Sequence, residues 1–290
     1  MLQINEKDIS KLATIRTTAF AKYYADVKNI EELKIANMFA KSNNLKLQVI
    51  GNGTNILFSQ KQYKDIFFIK LKDGFNFFQM ENNMIKIGAS FSLKRAGQKL
   101  IKSGYENFMY MCLIPGAIGG AIRQNAGTTS EGSIEKNIIS VLIYDIMYDE
   151  VRVFTKKEME FSYRNSIVQE YDGRFIILSA MFLYGKKSNN IESLVSTLKD
   201  KKQKKKEKSP AGYSFGSTFK NLELPAWKYL KKINVCGEII GGAKFSIEHC
   251  NWIINFNNAS GFDVAMLIKK AKEKAILELG IELKEEVKII

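Results

Sequence analysis

The alternation of apolar and polar residues predicts helices and strands interleaved along the chain. Across residues 30–41, apolar side chains recur at Ile30, Leu33, Ala36 and Ala40, the face of a helix, and Leu47 and Val49 follow as a short strand. Residues 66–71 and 84–88 read as further strands. Ser92 is placed to cap a helix that carries Leu93, Ala96, Leu100 and Ile101 on one face and stops at Gly104. The middle third is richer in strands: IISVLIYD, EVRVF and RFIILSAMFLY are β-branched and aromatic runs, with Thr155 and Glu158 at capping-box spacing between the last two. Residues 191–208 read as a basic helix ending in KDKKQKKKEK, and Pro210 with a loop of glycine and serine follows, the mark of a domain boundary. Beyond it come a short helix opened by Pro225 and a long one over residues 263–279, which buries Val264, Leu267, Ile268, Ala271 and Ala275. This mixture predicts α/β or α+β packing, and there is no internal repeat.

Composition narrows the class. At 290 residues, 46% hydrophobic and 26% charged, the chain is long enough for two or three lobes with a real core, which excludes a disordered or collagen-like protein. No run of about 18 apolar residues occurs and the opening MLQINEKDIS lacks a signal-peptide pattern, so a cytoplasmic protein without membrane insertion is expected. Three cysteines are too few and too scattered for a disulfide framework, and no Cys/His spacing suggests a metal. A single histidine excludes mechanisms that need two imidazoles, so the chemistry runs on other groups or on a cofactor. The net charge of +14 favours anionic partners, nucleotides and phosphorylated metabolites among them. The lysine run has no interleaved aromatics to stack bases, so it reads as a solvated helix face and nucleic acid is not an expected partner.

Five segments stand out chemically. GNGTN places Gly51, Asn52, Gly53, Thr54 and Asn55 after a strand, where backbone amides can approach phosphate, although a tight turn explains it as well. It does not fit the dinucleotide fingerprint GxGxxG. IPGAIGGAIRQNAG is the least ordinary: Pro115, Gly116, Ile118, Gly119, Gly120, Gln124, Asn125, Ala126 and Gly127 combine close backbone approach with amides able to bond ring edges, or else form a crowded hairpin. YRNS offers Tyr163 and the fixed cation of Arg164, GSTFKN offers Ser217, Lys220 and Asn221, and KEEV offers Glu285 and Glu286. Taken separately, each of the last three has an ordinary surface reading.

In their order and spacing, these segments resemble the UDP-N-acetylmuramate dehydrogenase family, the flavin-dependent reductases of UDP-N-acetylenolpyruvoylglucosamine, over nearly the whole chain. GNGTNILF looks like the first FAD loop, IPGAIGGAIRQNAG the second, YRNS the arginine motif and GSTFKN the serine loop; GEIIGGAKFSIEHCNWIIN, the terminal helix and LKEEV follow. The compact last third is similar to the shorter form of the family. The resemblance implies an α+β fold with an FAD-binding lobe of the PCMH/vanillyl-alcohol-oxidase type over residues 1–190 (subdomains about 1–70 and 71–190), a basic linker helix over 191–208, and a substrate domain over 209–290. It implies non-covalent FAD, NADPH as hydride donor and a cytoplasmic monomer or weak oligomer. FAD contacts fall to Gly51, Asn52, Gly53, Thr54 and Asn55 and to the second loop; catalysis falls to Arg164, Ser217 and Glu286, and substrate binding to Tyr163, Arg164, Lys220 and Asn221. Ser217 would be the general acid, with Arg164 and a protonated or water-linked Glu286 facing the developing enolate.

Four features depart from the family pattern. Thr18 and Ala19 stand where two glycines are usual, TTSEGS replaces an aromatic-glycine stretch, Leu222 replaces a proline and no glycine follows VKII. A catalytically quiet flavin-binding relative, or another FAD oxidoreductase on the same fold, stays open as an alternative.

Overall fold

The computed structural model describes residues 2–81, 84–128 and 130–290. The chain opens with β1 (Asn5–Asp8), β2 (Phe20–Val27), α1 (Ile30–Ser42), β3 (Lys46–Val49), β4 (Ile56–Leu57) and β5 (Gln62–Leu71). There follow β6 (Phe78–Glu81), β7 (Met84–Gly88), α2 (Leu93–Lys102), α3 (Met109–Leu113), α4 (Ile118–Arg123), β8 (Gly127–Thr128) and β9 (Gly132–Ser133). The middle continues with β10 (Ile138–Asp145), β11 (Glu150–Thr155), α5 (Ile167–Glu170), β12 (Phe175–Leu183) and α6 (Ile191–Glu207). The last part holds α7 (Ala226–Lys232), β13 (Ile239–Ile240), β14 (Ala243–Phe245), β15 (Ile253–Asn255), α8 (Gly261–Leu279) and β16 (Lys288–Ile289).

Local chemistry accounts for most boundaries. Asn29 caps α1 by accepting the Glu32 amide at 2.8 Å, and Ser92 caps α2 through the Arg95 amide. A full capping box of Ser260 and Asp263 opens α8, and Gly280 ends it with a left-handed φ of 64°. Thr155 and Glu158 also exchange capping-box hydrogen bonds, but the chain there makes only a turn, because Glu160 adopts φ 47° and breaks off the helix.

The chain packs as two compact units that are not contiguous in sequence. The first comprises Met1–Asn5, Tyr23–Asn52 and Asp65–Lys204; the second comprises Glu6–Lys22, Gly53–Lys64 and Lys205–Ile290. In the first unit, β2, β5 and β3 lie side by side in that order, with β3 and β5 parallel in register Lys46↔Ile66 to Val49↔Ile69. The same unit holds an antiparallel sheet in the order β11-β10-β12-β7-β6. Phe67, Ile87, Leu100, Ile118, Val141 and Phe182 are among the buried side chains of its core. In β10, Asp145 is fully buried. Desolvation opposes its charge, but bonds from Arg174, at 3.0 Å, and from the Met147 amide outweigh that and hold its carboxyl below the usual range.

In the second unit, α8 packs on the three-stranded sheet β13-β14-β15, and β16 pairs in parallel with β4. The approach of Gly261 to the Phe58 carbonyl leaves no room for a Cβ, so glycine at the start of α8 is a packing requirement. Cys236 and Cys250 are joined as a disulfide with Cα atoms 5.0 Å apart. The cysteines, expected to be too few and too scattered for a disulfide framework, thus include one bonded pair, brought together across 14 residues by the β13–β14 and β14–β15 hairpins.

Candidate functional site

Within the first unit, the two glycine segments come close together. A Cβ added to Gly51 would lie 3.8 Å from the Cβ of Ala117, so the end of the first loop adjoins the beginning of α4. Several groups of the second loop are engaged by the chain itself. The Ile118 and Gly119 amides donate to the Phe91 and Ala89 carbonyls at 3.0 and 2.8 Å, and the Gly116 carbonyl accepts from Leu93. Asn125 is buried with a left-handed φ of 43°; its Nδ2 donates to the Ser162 carbonyl at 2.8 Å and its Oδ1 accepts from the Glu135 amide. Ala126 bonds Ala121 and Ile134 through its backbone, and Gly127 pairs with Ser133 in the β8–β9 ladder. Gln124 is also buried.

Two observations in this unit fit a bound flavin nucleotide. Gly120 is exposed in α4 with ordinary helical backbone and open space where a Cβ would stand, so neither conformation nor internal packing demands glycine there. A glycine here leaves the helix surface flat and open, which fits a planar ligand lying on it. The buried Ser90 hydroxyl finds no hydrogen-bond partner, one residue along from Ala89, whose carbonyl accepts from the Gly119 amide. An orphan buried hydroxyl is costly unless something satisfies it. Ser90 escaped the sequence reading, because GASFS carries only one glycine and looks like a strand end.

The arginine motif is built onto the same unit. Ser162 and Asn165 bridge across a tight turn, which forces Arg164 into a left-handed φ of 55°. Its Nη2 donates to the Gly127 carbonyl at 2.8 Å, and the guanidinium lies 5.4 Å from the ring of the half-exposed Tyr163. The next side chain, Ser166, is fully buried and donates to the Arg123 carbonyl at 2.7 Å. The turn is thus fastened to the end of α4.

The second unit gathers Asn55, Ser217, Lys220 and Glu286. The stretch after Gly216, itself at φ 85°, runs extended between two partners. On one side Ser217 bridges Trp252, and the Thr218 amide donates to the Asn251 carbonyl at 2.7 Å. On the other, the Glu286 amide donates to the Thr218 carbonyl at 2.8 Å and the Lys220 amide to the Lys284 carbonyl at 2.8 Å. Asn55 closes the arrangement: its Nδ2 donates to the Glu286 carbonyl at 2.8 Å. The Asn221 carboxamide oxygen accepts from the Ala226 amide at 2.9 Å and so caps α7. Arg164 and Tyr163 belong to the first unit, whereas Ser217, Lys220, Asn221 and Glu286 belong to the second.

Within this unit Gly53 has a local reason to be glycine. It takes φ 63°, a Cβ there would overlap the Leu12 carbonyl, and its own carbonyl accepts from the Thr14 amide at 2.9 Å. Nearby, the positive φ falls on Arg16, at 56°, and on neither Thr18 nor Ala19. The two residues that replace glycines therefore sit in ordinary backbone, and Ala19 is buried with its amide on the Ser10 hydroxyl at 2.9 Å. In the divergent TTSEGS stretch, Thr129 lies outside the described residues.

Among the described residues, no helix is long and apolar enough to cross a membrane and no group of His, Cys, Asp and Glu could hold a metal.

Comparison with known proteins agrees with these features. The model of the UDP-N-acetylenolpyruvoylglucosamine reductase C-terminal domain matches residues 206–290, and that of an FAD binding domain matches residues 21–147. A UDP-N-acetylenolpyruvoylglucosamine reductase of Francisella tularensis is 32% identical over 96% of this chain and 96% of its own length. That of Prochlorococcus marinus is 31% identical over 98% and 95%. The crystal structure of UDP-N-acetylenolpyruvylglucosamine reductase from Thermus caldophilus superposes with a TM-score of 0.84 over 100% of this chain and 99% of that one, at 23% identity, and so shares the fold. With full-length likeness at this level and both domain models in chain order, the chain belongs to the UDP-N-acetylenolpyruvoylglucosamine reductase family.

Proposed function

We propose that this protein reduces UDP-N-acetylenolpyruvoylglucosamine to UDP-N-acetylmuramate with NADPH and FAD, a step in making peptidoglycan precursors. FAD would be held within residues 1–190 by the two glycine segments and Ser90, and the nucleotide sugar by residues 209–290, with the basic helix of residues 191–208 between. When bound, the flavin supplies the hydride that reaches C3 of the enolpyruvyl ether.

The chain's own residues then have two tasks. Hydride addition drives negative charge onto C2 and the carboxylate, and a fixed cation stabilises such charge best when it needs no reorganisation. Arg164, fastened by Gly127, suits that task. The second task is to deliver a proton to C2, for which Ser217 is the donor; a serine hydroxyl is a weak acid and acts only as carbanion character appears. Glu286, as a neutral acid or through a water, assists at the same charge. Lys220 and the Asn221 amide nitrogen contact the diphosphate, and Tyr163 the sugar nucleotide beside the arginine.

The observation that carries this reading is the Thr218 peptide: its carbonyl takes the Glu286 amide at 2.8 Å and its amide is held by Asn251, so the proposed donor and the proposed acid share one rigid frame. The positive net charge of +14 suits two anionic substrates. The protein is proposed to work in the cytoplasm as a monomer or weak oligomer.

The test is the visible spectrum of the purified protein, followed anaerobically. Flavin bands that bleach with NADPH and return with UDP-N-acetylenolpyruvoylglucosamine are expected. Bleaching that only oxygen reverses would overturn the substrate assignment, and protein that neither carries nor takes up flavin would overturn the enzyme. In Ser217→Ala, bleaching by NADPH should persist while recovery with substrate slows by about 10² or more; unchanged recovery would remove Ser217 from the role.

A further inference from the structure

Asn251 is 3% exposed. A buried primary amide must satisfy both its donors and its acceptor or cost stability. This one engages its acceptor and one donor by imitating a β-ladder. Its Nδ2 donates to the Phe219 carbonyl at 2.9 Å, and its Oδ1 accepts from the Phe219 amide at 2.9 Å. Its own main-chain carbonyl takes the Thr218 amide at 2.7 Å, and its neighbour Trp252 bridges Ser217. Three consecutive residues of the serine loop are therefore registered by Asn251 and Trp252.

Side chains of extended backbone alternate between faces, so a slip of one residue would turn Ser217 to the opposite side. A long strand resists slippage by repeating its ladder. The segment after Gly216 is too short for that, and Gly216 itself, at φ 85°, stands outside any ladder. The bidentate side-chain amide adds a lock on the Asn251 side to the main-chain bonds that Lys284 and Glu286 make on the other. Because Thr218 also carries the Glu286 amide, the lock fixes both proposed groups at once. Misplacing a reacting group by about 1 Å can cost about 10²-fold in rate.

We infer that Asn251 is a positioning residue for proton delivery, acting through the register of Ser217 rather than by touching substrate; this rests on Ser217 being the proton donor. Two variants test it. Asn251→Ala removes both bonds to Phe219, and Asn251→Asp keeps the acceptor while losing the donor. Flavin reduction by NADPH is expected to stay within about twofold of wild type, while reoxidation by UDP-N-acetylenolpyruvoylglucosamine slows by about 10²-fold in Asn251→Ala and by less in Asn251→Asp. In a Ser217→Ala background, the same Asn251 substitutions should add less than about twofold, because the two residues act as one unit. Equal slowing of both half-reactions, or full additivity with Ser217→Ala, would overturn the inference.

A second readout does not depend on turnover. Amide hydrogen exchange at Thr218, Phe219 and Lys220 should accelerate in Asn251→Asp, while the amides of α8 keep their protection. Unchanged exchange at those amides would sink the lock. If wild-type protein fails to reoxidise with the nucleotide sugar yet exchange responds as expected, the functional assignment falls and the structural role of Asn251 stands.

Discussion

The Arg164 guanidinium donates to the carbonyl oxygen of Gly127 at 2.8 Å, so the cation proposed to face the substrate is held by the last residue of the second glycine segment. That bond fixes the direction of the planar fork. Lysine cannot reproduce this, because an ammonium is a compact charge on a flexible stem and lacks the planar fork that fixes direction. Arg164→Lys should therefore keep flavin and its reduction by NADPH, yet slow reoxidation by the nucleotide sugar by about 10²-fold. Stopped-flow traces of the two half-reactions measure this, and a normal second half-reaction would remove Arg164 from enolate stabilisation.

Gly53 and Gly120 should respond to alanine in opposite ways. At Gly53 the left-handed backbone and the Leu12 carbonyl both oppose a Cβ, so Gly53→Ala should lower stability by roughly 1–3 kcal/mol or more. At Gly120 nothing lies within 4 Å and the backbone is helical, so Gly120→Ala should raise the stability of the flavin-free protein by about 0.5–1 kcal/mol. Its cost should appear instead as weaker FAD binding. Urea denaturation of flavin-free protein and a flavin titration separate the two effects, and tight FAD binding by Gly120→Ala would count against α4 as a cofactor surface.

His249 supplies a pH signature that no other residue can confuse, being the single histidine. Burial lowers its imidazole below the ordinary value of 6.5, and its Nδ1 has no hydrogen-bond partner. The unfolded chain therefore binds the proton more tightly than the folded one. Its contribution to stability is complete above 6.5 and declines as pH falls through 6.5 toward the lower folded midpoint. Proton NMR of the one imidazole should show a midpoint below 6.5, and a midpoint at or above it would contradict the burial argument.

The three cysteines should divide by chemistry. A thiol reductant should open the Cys236–Cys250 bond, with a loss of about 3 kcal/mol for a loop of this length. Burial pushes the Cys112 thiol up to about 11, which leaves almost no thiolate at neutral pH. Native, unreduced protein should accordingly resist iodoacetamide and take up one equivalent per chain only after unfolding. Rapid labelling of the native protein would refute that assignment of Cys112.

Local interactions made much of this protein legible in advance. The apolar spacing over α1, α2 and α8, the cap at Ser92 and the stop at Gly104, and the β-branched runs of β10 and β12 act over a few residues, so propensity and periodicity specify them. The glycine segments, the arginine turn and the serine loop were visible for the same reason, since each concentrates unusual residue types in a short window. What tertiary structure decided involves partners distant in sequence. The residues of Glu6–Lys22 and Gly53–Lys64 pack with the last third of the chain, where Phe58 lies directly against Gly261. Asn251 reads as an ordinary polar residue until Phe219, 32 positions earlier, lies against its carboxamide. The pairing of Cys236 with Cys250 and the orphan hydroxyl of Ser90 are likewise products of packing. A sequence window records which groups a residue can offer; which of them are satisfied depends on the neighbours that folding brings within reach.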